Sequence, residues 1–187
     1  YRVPRLVQHI ADNILSRISD ERRIKKEWEA RDEDGSIYFG TSIEDVPLHE
    51  GNWLVLARYN DKLIKLKPLL RERGIYFEYK NRKSYKTRLY AAIQTYTRWT
   101  NGSLLSISEC RDLFEYFGKE FPQKEERMYD LKEFGYSPIV PWFDVFETEP
   151  EDSLYIRDML QSDEELSKEA RVKLSTIHAA KGGEADN

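Results

Sequence analysis

Apolar side chains recur at helical spacing near the start of the chain. Leu6, Val7, Ile10, Ala11, Ile14, Leu15 and Ile18 fall on one face, and Pro4 stands where a first helical turn tolerates proline. A polar stretch follows, in which DEDGSIYFG reads as a turn leading into a short strand at Ile37 to Phe39. The Asp32-Glu33-Asp34-Gly35 group lacks the full spacing of a calcium loop, so an ordinary turn is expected there. Five consecutive apolar residues, Trp53 to Ala57, then lie between Gly51 and Asn60. Such a run predicts a strand buried on both faces, as in a parallel sheet. Asp61 is placed to cap the next helix, whose apolar stripe is Leu63, Ile64, Leu66, Leu69 and Leu70. Gly74 predicts a helix stop, and IYFEY from Ile75 begins another strand. This strand–helix–glycine–strand order is a βαβ-like unit with tight loops.

From Tyr85 to about Asp163 the pattern turns mainly helical. A helix is predicted around Thr87 to Thr100, ending at Asn101-Gly102. SISECRDLFEYF carries a capping box, Ser106 standing three residues before Glu109. Another helix is predicted near Ser153 to Gln161, and VKLSTI from Val172 returns to a strand signal. There is no internal repeat and no low-complexity tract. The expected fold is α/β: a parallel sheet with flanking helices, interrupted by a mainly helical insert. The sheet domain takes residues 1–84 and 164–187, and the insert takes 85–163. Both ends read as cut, so a fragment of a longer protein is expected.

Composition narrows the class. Aromatic residues make up 13% of the chain, too many for a disordered segment, so a packed core is expected. The net charge of -4 advertises no general affinity for nucleic acid. The charge is unevenly placed, however. Lys65, Lys67, Arg71, Arg73, Lys80, Arg82, Lys83, Lys86 and Arg88 crowd together beside Tyr76, Phe77, Tyr79, Tyr85 and Tyr90. That cluster reads either as a stacking and phosphate-neutralising surface or as a solvated helix face beside core aromatics. The stretch from Asp144 to Glu169 is acidic and reads as a solvated face. Trp142 and Phe143 are expected in the core of the insert. A single cysteine, Cys110, excludes an internal disulfide and reads as a small buried apolar residue. No apolar run approaches the roughly 20 residues that span a bilayer, and no signal peptide opens the chain. A soluble, cytoplasmic protein without a membrane partner is expected.

The closing segment KLSTIHAAKGGEADN carries the candidate chemistry. A strand ending in paired glycines lets backbone amides approach a phosphate, and Thr176, His178 and Lys181 add donors and charge. Yet Lys181 precedes the glycines, so the full phosphate-loop pattern is absent. Three scattered histidines argue against a metal site.

The segment does resemble the fifth motif of superfamily 1 helicases of the UvrD/Rep type. There a strand runs into Thr-hydrophobic-His-x-(Ala/Ser)-Lys-Gly-x-Glu. Thr176, His178, Lys181, Gly182 and Glu184 match, while Gly183 stands where the family usually has leucine. YRVPRLVQHIADNIL resembles the motif in which Asn-Tyr-Arg-Ser begins a long amphipathic helix. Tyr1 and Arg2 fit, Val3 replaces the serine, and the preceding residue is missing. LARYND is similar to the family's strand end carrying Arg-x-Asn, matched by Arg58 and Asn60. Residues 85 to 163 match no motif.

The resemblance implies the second RecA-like domain of an ATP-dependent DNA helicase, with an insert where the family places its accessory subdomain. The intact protein would couple ATP hydrolysis, with Mg2+, to 3′-to-5′ movement along single-stranded DNA. Its partner would be an N-terminal RecA-like domain, which carries the phosphate loop absent from these 187 residues. The chain alone would therefore be inactive and hold no tightly bound cofactor. By carry-over Tyr1 stacks on adenine, Arg2 acts as a catalytic arginine finger, and Gly182 and Glu184 bind nucleotide. Arg58, Asn60, Thr176 and His178 touch DNA. Each has a plainer reading: Arg2 as a solvated arginine, Arg58 and Asn60 as a strand end and helix cap, His178 as a loop histidine. Two other classes stay open, a nucleic-acid-binding module of degenerate fold without ATPase activity, and a protein-interaction domain using the helical insert.

Overall fold

The structure, a computed structural model, describes residues 3–24, 29–162 and 164–180. They group into two compact units, Tyr1–Pro47 and Leu48–Asn187.

The smaller unit is built on helix α1, Arg5–Leu15, entered from an extended Pro4. No side chain caps it. The Arg5 and Leu6 amides instead donate to the carbonyls of Glu33 and Asp34 at 3.0 and 3.1 Å. The Asp32–Gly35 turn thus supplies acceptors that a helix start otherwise lacks. Arg5 Nε adds an ion pair to Asp34 Oδ1 at 2.8 Å. Gly35 is obligatory here, because its φ is +69° and a Cβ would lie 2.6 Å from the Pro4 ring. The apolar stripe forms from Leu6 to Leu15, Ile18 falling past the helix end, but no residue of α1 is buried. The strand expected at Ile37 to Phe39 does not form, and Tyr38 and Phe39 are exposed. A strand needs a partner, and among the described residues the pairing in this unit is one bridge, Pro4 to Arg31.

The larger unit is α/β with a four-stranded mixed sheet. Its strands are β1, Trp53–Ala57, β2, Phe77–Tyr79, β3, Arg82–Lys83, and β4, Val172–Thr176, in the order β1-β4-β2-β3. β4 runs parallel to both β1 and β2, as the sequence pattern predicts, and β3 adds a short antiparallel edge to β2. Central β4 alternates buried Val172 and Leu174 with exposed Lys173. β1 is a correction to the sequence reading. It lies at the edge of the sheet, so four of its five apolar residues are half-covered and the fifth, Leu56, is exposed.

Helix α2, Asn60–Glu72, crosses from β1 towards β2 and buries Leu63 and Leu70. It ends at Gly74, whose φ of +63° lets the Gly74 and Ile75 amides reach the Arg71 and Leu70 carbonyls. Between β3 and β4 lie α3, Thr87–Thr100, α4, Ile107–Tyr116, and α5, Pro150–Gln161. The Ser106–Glu109 capping box forms at the start of α4. These helices share one aromatic-rich core with Tyr76 and Tyr85, built from Tyr96, Trp99, Phe114, Phe117, Tyr129 and Phe146 among others. An insert and its host can share one core, so the boundaries at 84/85 and 163/164 stay an expectation. Trp142 joins this core, whereas Phe143 is exposed. Cys110 is buried, and burial pushes its thiol up to about 11. Among the described residues no helix is long and apolar enough to cross a membrane.

Candidate nucleic-acid interface

Parallel pairing brings two distant sequence segments together at the carboxyl edge of the sheet. Ala57 pairs with Thr176, and the Ile177 amide donates to the Ala57 carbonyl at 3.0 Å. The segment from Arg58 to Asn60 therefore emerges beside the turn at 177–180. Binding residues gather at such edges because the rigid strands aim the loops that leave them.

Arg58 is exposed, and its guanidinium carbon lies 5.3 Å from the centre of the exposed Tyr59 ring. This pairing keeps a cation beside an open aromatic face. Asn60 is the first residue of α2, not its cap. The cap position belongs to Tyr59, whose backbone is extended, and no side chain closes the helix start. Asp61, expected as the cap, lies inside the first turn, where its charge still suits the helix dipole. The Asn60 side chain faces the hairpin instead, its Oδ1 accepting from Tyr79 Oη at 2.9 Å. That bond occupies the amide oxygen and does not use the two N–H donors of the amide nitrogen.

Thr176 ends β4, and its Oγ1 accepts from the Ala179 amide at 3.3 Å. Among the described residues the hydroxyl proton has no acceptor, so it can donate to a ligand. His178 is exposed in the turn. Of the eight expected site residues, Arg58, Asn60, Thr176 and His178 are therefore placed at one edge. Tyr1, Arg2, Gly182 and Glu184, with Lys181, lie outside the described residues.

The basic cluster divides in two. Tyr76, Phe77 and Tyr85 are core residues. Arg71 and Lys86 both pair with Asp152 at 2.7 Å, and Lys83 Nζ donates to Tyr85 Oη and the Leu166 carbonyl at 3.1 Å. Asp152 is thus no solvated surface acid, a correction to the reading of the acidic stretch. Glu164 is another, buried and paired with Arg171. Tyr79 takes the opposite part. Its half-buried ring lies beneath Lys67, whose Nζ is 3.8 Å from the ring centre, with Lys80 Nζ at 5.2 Å. Burial, with the neighbouring Lys80 charge, lowers the Lys67 pKa. The hairpin that presents Tyr79 is held by Ser84, whose Oγ accepts from the Phe77 amide and bonds Tyr155 Oη at 2.7 Å. Tyr155 in turn donates to the Ile75 carbonyl at 2.7 Å.

Tyr59 and the Tyr79–Asn60 bond escaped the sequence reading. Tyr59 lay between two named residues, whereas the bond joins elements 19 positions apart. Among the described residues no group of His, Cys, Asp or Glu is placed to hold a metal ion. Comparisons with protein-family models, with curated proteins and with solved structures give no match.

Proposed function

We propose that this chain is the DNA-contacting part of a second RecA-like domain in an ATP-dependent DNA helicase of superfamily 1. The observation that supports this reading is the register of β1 with β4. It sets Arg58 and Asn60 beside Thr176 and His178, segments named independently by their motifs. Exposed guanidinium, amide and imidazole groups with the half-buried Thr176 hydroxyl at one edge suit a sugar–phosphate backbone, and Tyr59 offers a ring for a base. The row holds the strand, while the rigid sheet beneath it transmits movement to and from the nucleotide.

The nucleotide side rests on the sequence, because Tyr1, Arg2, Gly182 and Glu184 lie outside the described residues. ATP with Mg2+ would supply the free energy of stepping, with its phosphate loop on the N-terminal RecA-like domain. Movement would run 3′ to 5′ along single-stranded DNA.

The test is ATP hydrolysis by the longer protein that carries the phosphate loop, with and without single-stranded DNA, beside this 187-residue chain. DNA-stimulated turnover in the longer protein and none in the chain is the expected result. A longer protein that binds single-stranded DNA but never hydrolyses ATP would replace the motor with a binding module. One that neither binds nor hydrolyses would overturn the reading.

A further inference from the structure

A groove of about 650 Å³ runs between α2 and the β2–β3 hairpin, lined in part by Tyr79, the donor to Asn60. Lys67 and Arg71 line it from the helix, and Lys80 and Arg82 from the hairpin. Arg71 is neutralised by Asp152. Among the described residues Lys67, Lys80 and Arg82 have no ion-pair partner. The one acidic residue of the hairpin strands, Glu78, accepts instead from Tyr76 Oη at 3.4 Å.

Three features set this groove apart from a row of solvated lysines. Lys67 is half-buried, held over a ring, and close enough to Lys80 for its proton to be destabilised. A partly desolvated cation beside a like charge, without an acid, is held at a cost that an anion would relieve. Next, the hairpin turn is made by Lys80 and Asn81 with φ of +52° and +57°. Among the described residues these are the non-glycine positions with positive φ. Asparagine tolerates that conformation, whereas lysine does so at a cost of about 1 kcal/mol. A glycine there would relax the turn, so the lysine is retained at a local penalty. Lastly, Tyr79, which lines the groove, also donates to Asn60 of the strand-end row, so one side chain belongs to both.

We infer that this groove is a phosphate-binding site, in which Lys67, Lys80 and Arg82 neutralise successive phosphates of an extended anion. The shared chemistry is a chain of phosphates. Its source is either the phosphodiester backbone of a single strand or a free polyphosphate. In the first case the inference rests on the function proposed above and extends the DNA track past Tyr79. In the second it stands apart from it.

Binding of a labelled oligothymidylate and of inorganic polyphosphate to the 187-residue chain tests this, at two salt concentrations. The variant is Lys80→Glu with Arg82→Glu, both exposed positions, so the fold should be kept, as circular dichroism would check. The control is Lys119→Glu with Lys124→Glu, exposed residues outside the groove that change the net charge equally. The groove variant should lose tenfold or more in affinity at low salt. For the oligonucleotide its salt slope should fall by about 1 to 2, as expected for two lost phosphate contacts. The control should change affinity less than threefold. Loss for both probes, or loss for the one probe that binds, upholds the site and identifies its source. Equal loss in control and groove variants, an unchanged groove variant, or no binding of either probe by the unaltered chain overturns it. Arg58→Ala separates the two failures. If it weakens oligonucleotide binding while the groove variant does not, the strand-end row stands and the groove falls.

Discussion

Aromatic rings serve opposite ends in two regions of the larger unit. In the helical region they face one another. Phe117 stacks on Tyr136 at 4.2 Å between centres and meets Phe114, Tyr96 and Phe146 edge-on at 5.3 to 6.3 Å. At the carboxyl edge of the sheet they face cations, Tyr59 beside Arg58 and Tyr79 beneath Lys67 and Lys80. A ring enclosed by rings contributes dispersion and burial, and its value is stability. A ring with a cation on one face and an open second face contributes less burial to the fold and, under the function proposed above, is available for recognition. Composition counts both kinds alike. Removing one ring or its partner from each region should therefore break different properties.

The largest effect is expected in the core. Phe117→Ala removes a buried ring that touches four other rings, at a cost of about 3–5 kcal/mol in stability. Urea unfolding followed by tryptophan fluorescence would measure it. A loss below about 1 kcal/mol would mean that the aromatic cluster is loosely packed, and the contrast between the regions would fail.

A middle effect belongs to Asp152, which ties the two regions together through Arg71 on α2 and Lys86 before α3. Burial raises its pKa, but hydrogen bonds from Lys86 and Arg71, with their charges, outweigh that and leave it below the ordinary 3.8. A depressed carboxylate adds stability above its unfolded-state pKa and loses it as pH falls through the folded value. Asp152→Asn should thus cost about 1 kcal/mol at pH 7, screened because both cations reach solvent, and nothing at pH 2. Thermal unfolding from pH 2 to 7 would show the variant's curve flatter than the parent's. Curves of equal slope would remove Asp152 from the acid response.

Local signals were legible in the sequence where a few neighbouring residues decide the outcome. The α4 capping box is one, the Gly74 stop another, and the span of α3 a third. What depends on partners was not. Ile37 to Phe39 had strand-forming residues but, among the described residues, no strand to pair with, and Trp53 to Ala57 had a buried strand's composition but an edge position. The helical spacing of Leu6 to Ile18 was read correctly as a helix up to Leu15, with Ile18 past its end, yet spacing fixes only which face is apolar, not what covers it. The site divides the same way. Motifs named Arg58, Asn60, Thr176 and His178 one by one, but only the register of β1 on β4 makes them neighbours. Within the basic cluster, charge alone could not separate Arg71, which pairs with Asp152, from Lys67, which has no ion-pair partner among the described residues.

The smallest effect sharpens the comparison most, because it changes one hydroxyl at the surface ring. Tyr79→Phe keeps the ring beneath Lys67 and removes the hydrogen bond to Asn60 Oδ1. Without it the Asn60 amide is free to rotate, so its oxygen and nitrogen can exchange places. Such a bond contributes about 1 kcal/mol, so oligothymidylate affinity should fall about fivefold. The salt slope should stay unchanged, since no charge is lost. If Tyr79 acts by orienting Asn60, the same substitution in an Asn60→Ala background should do nothing, and a double-mutant cycle of binding constants would show coupling equal to the whole effect. Additive losses would mean that the hydroxyl meets the ligand itself. A loss of stability without a loss of affinity would place Tyr79 with Phe117, as a ring that serves the fold.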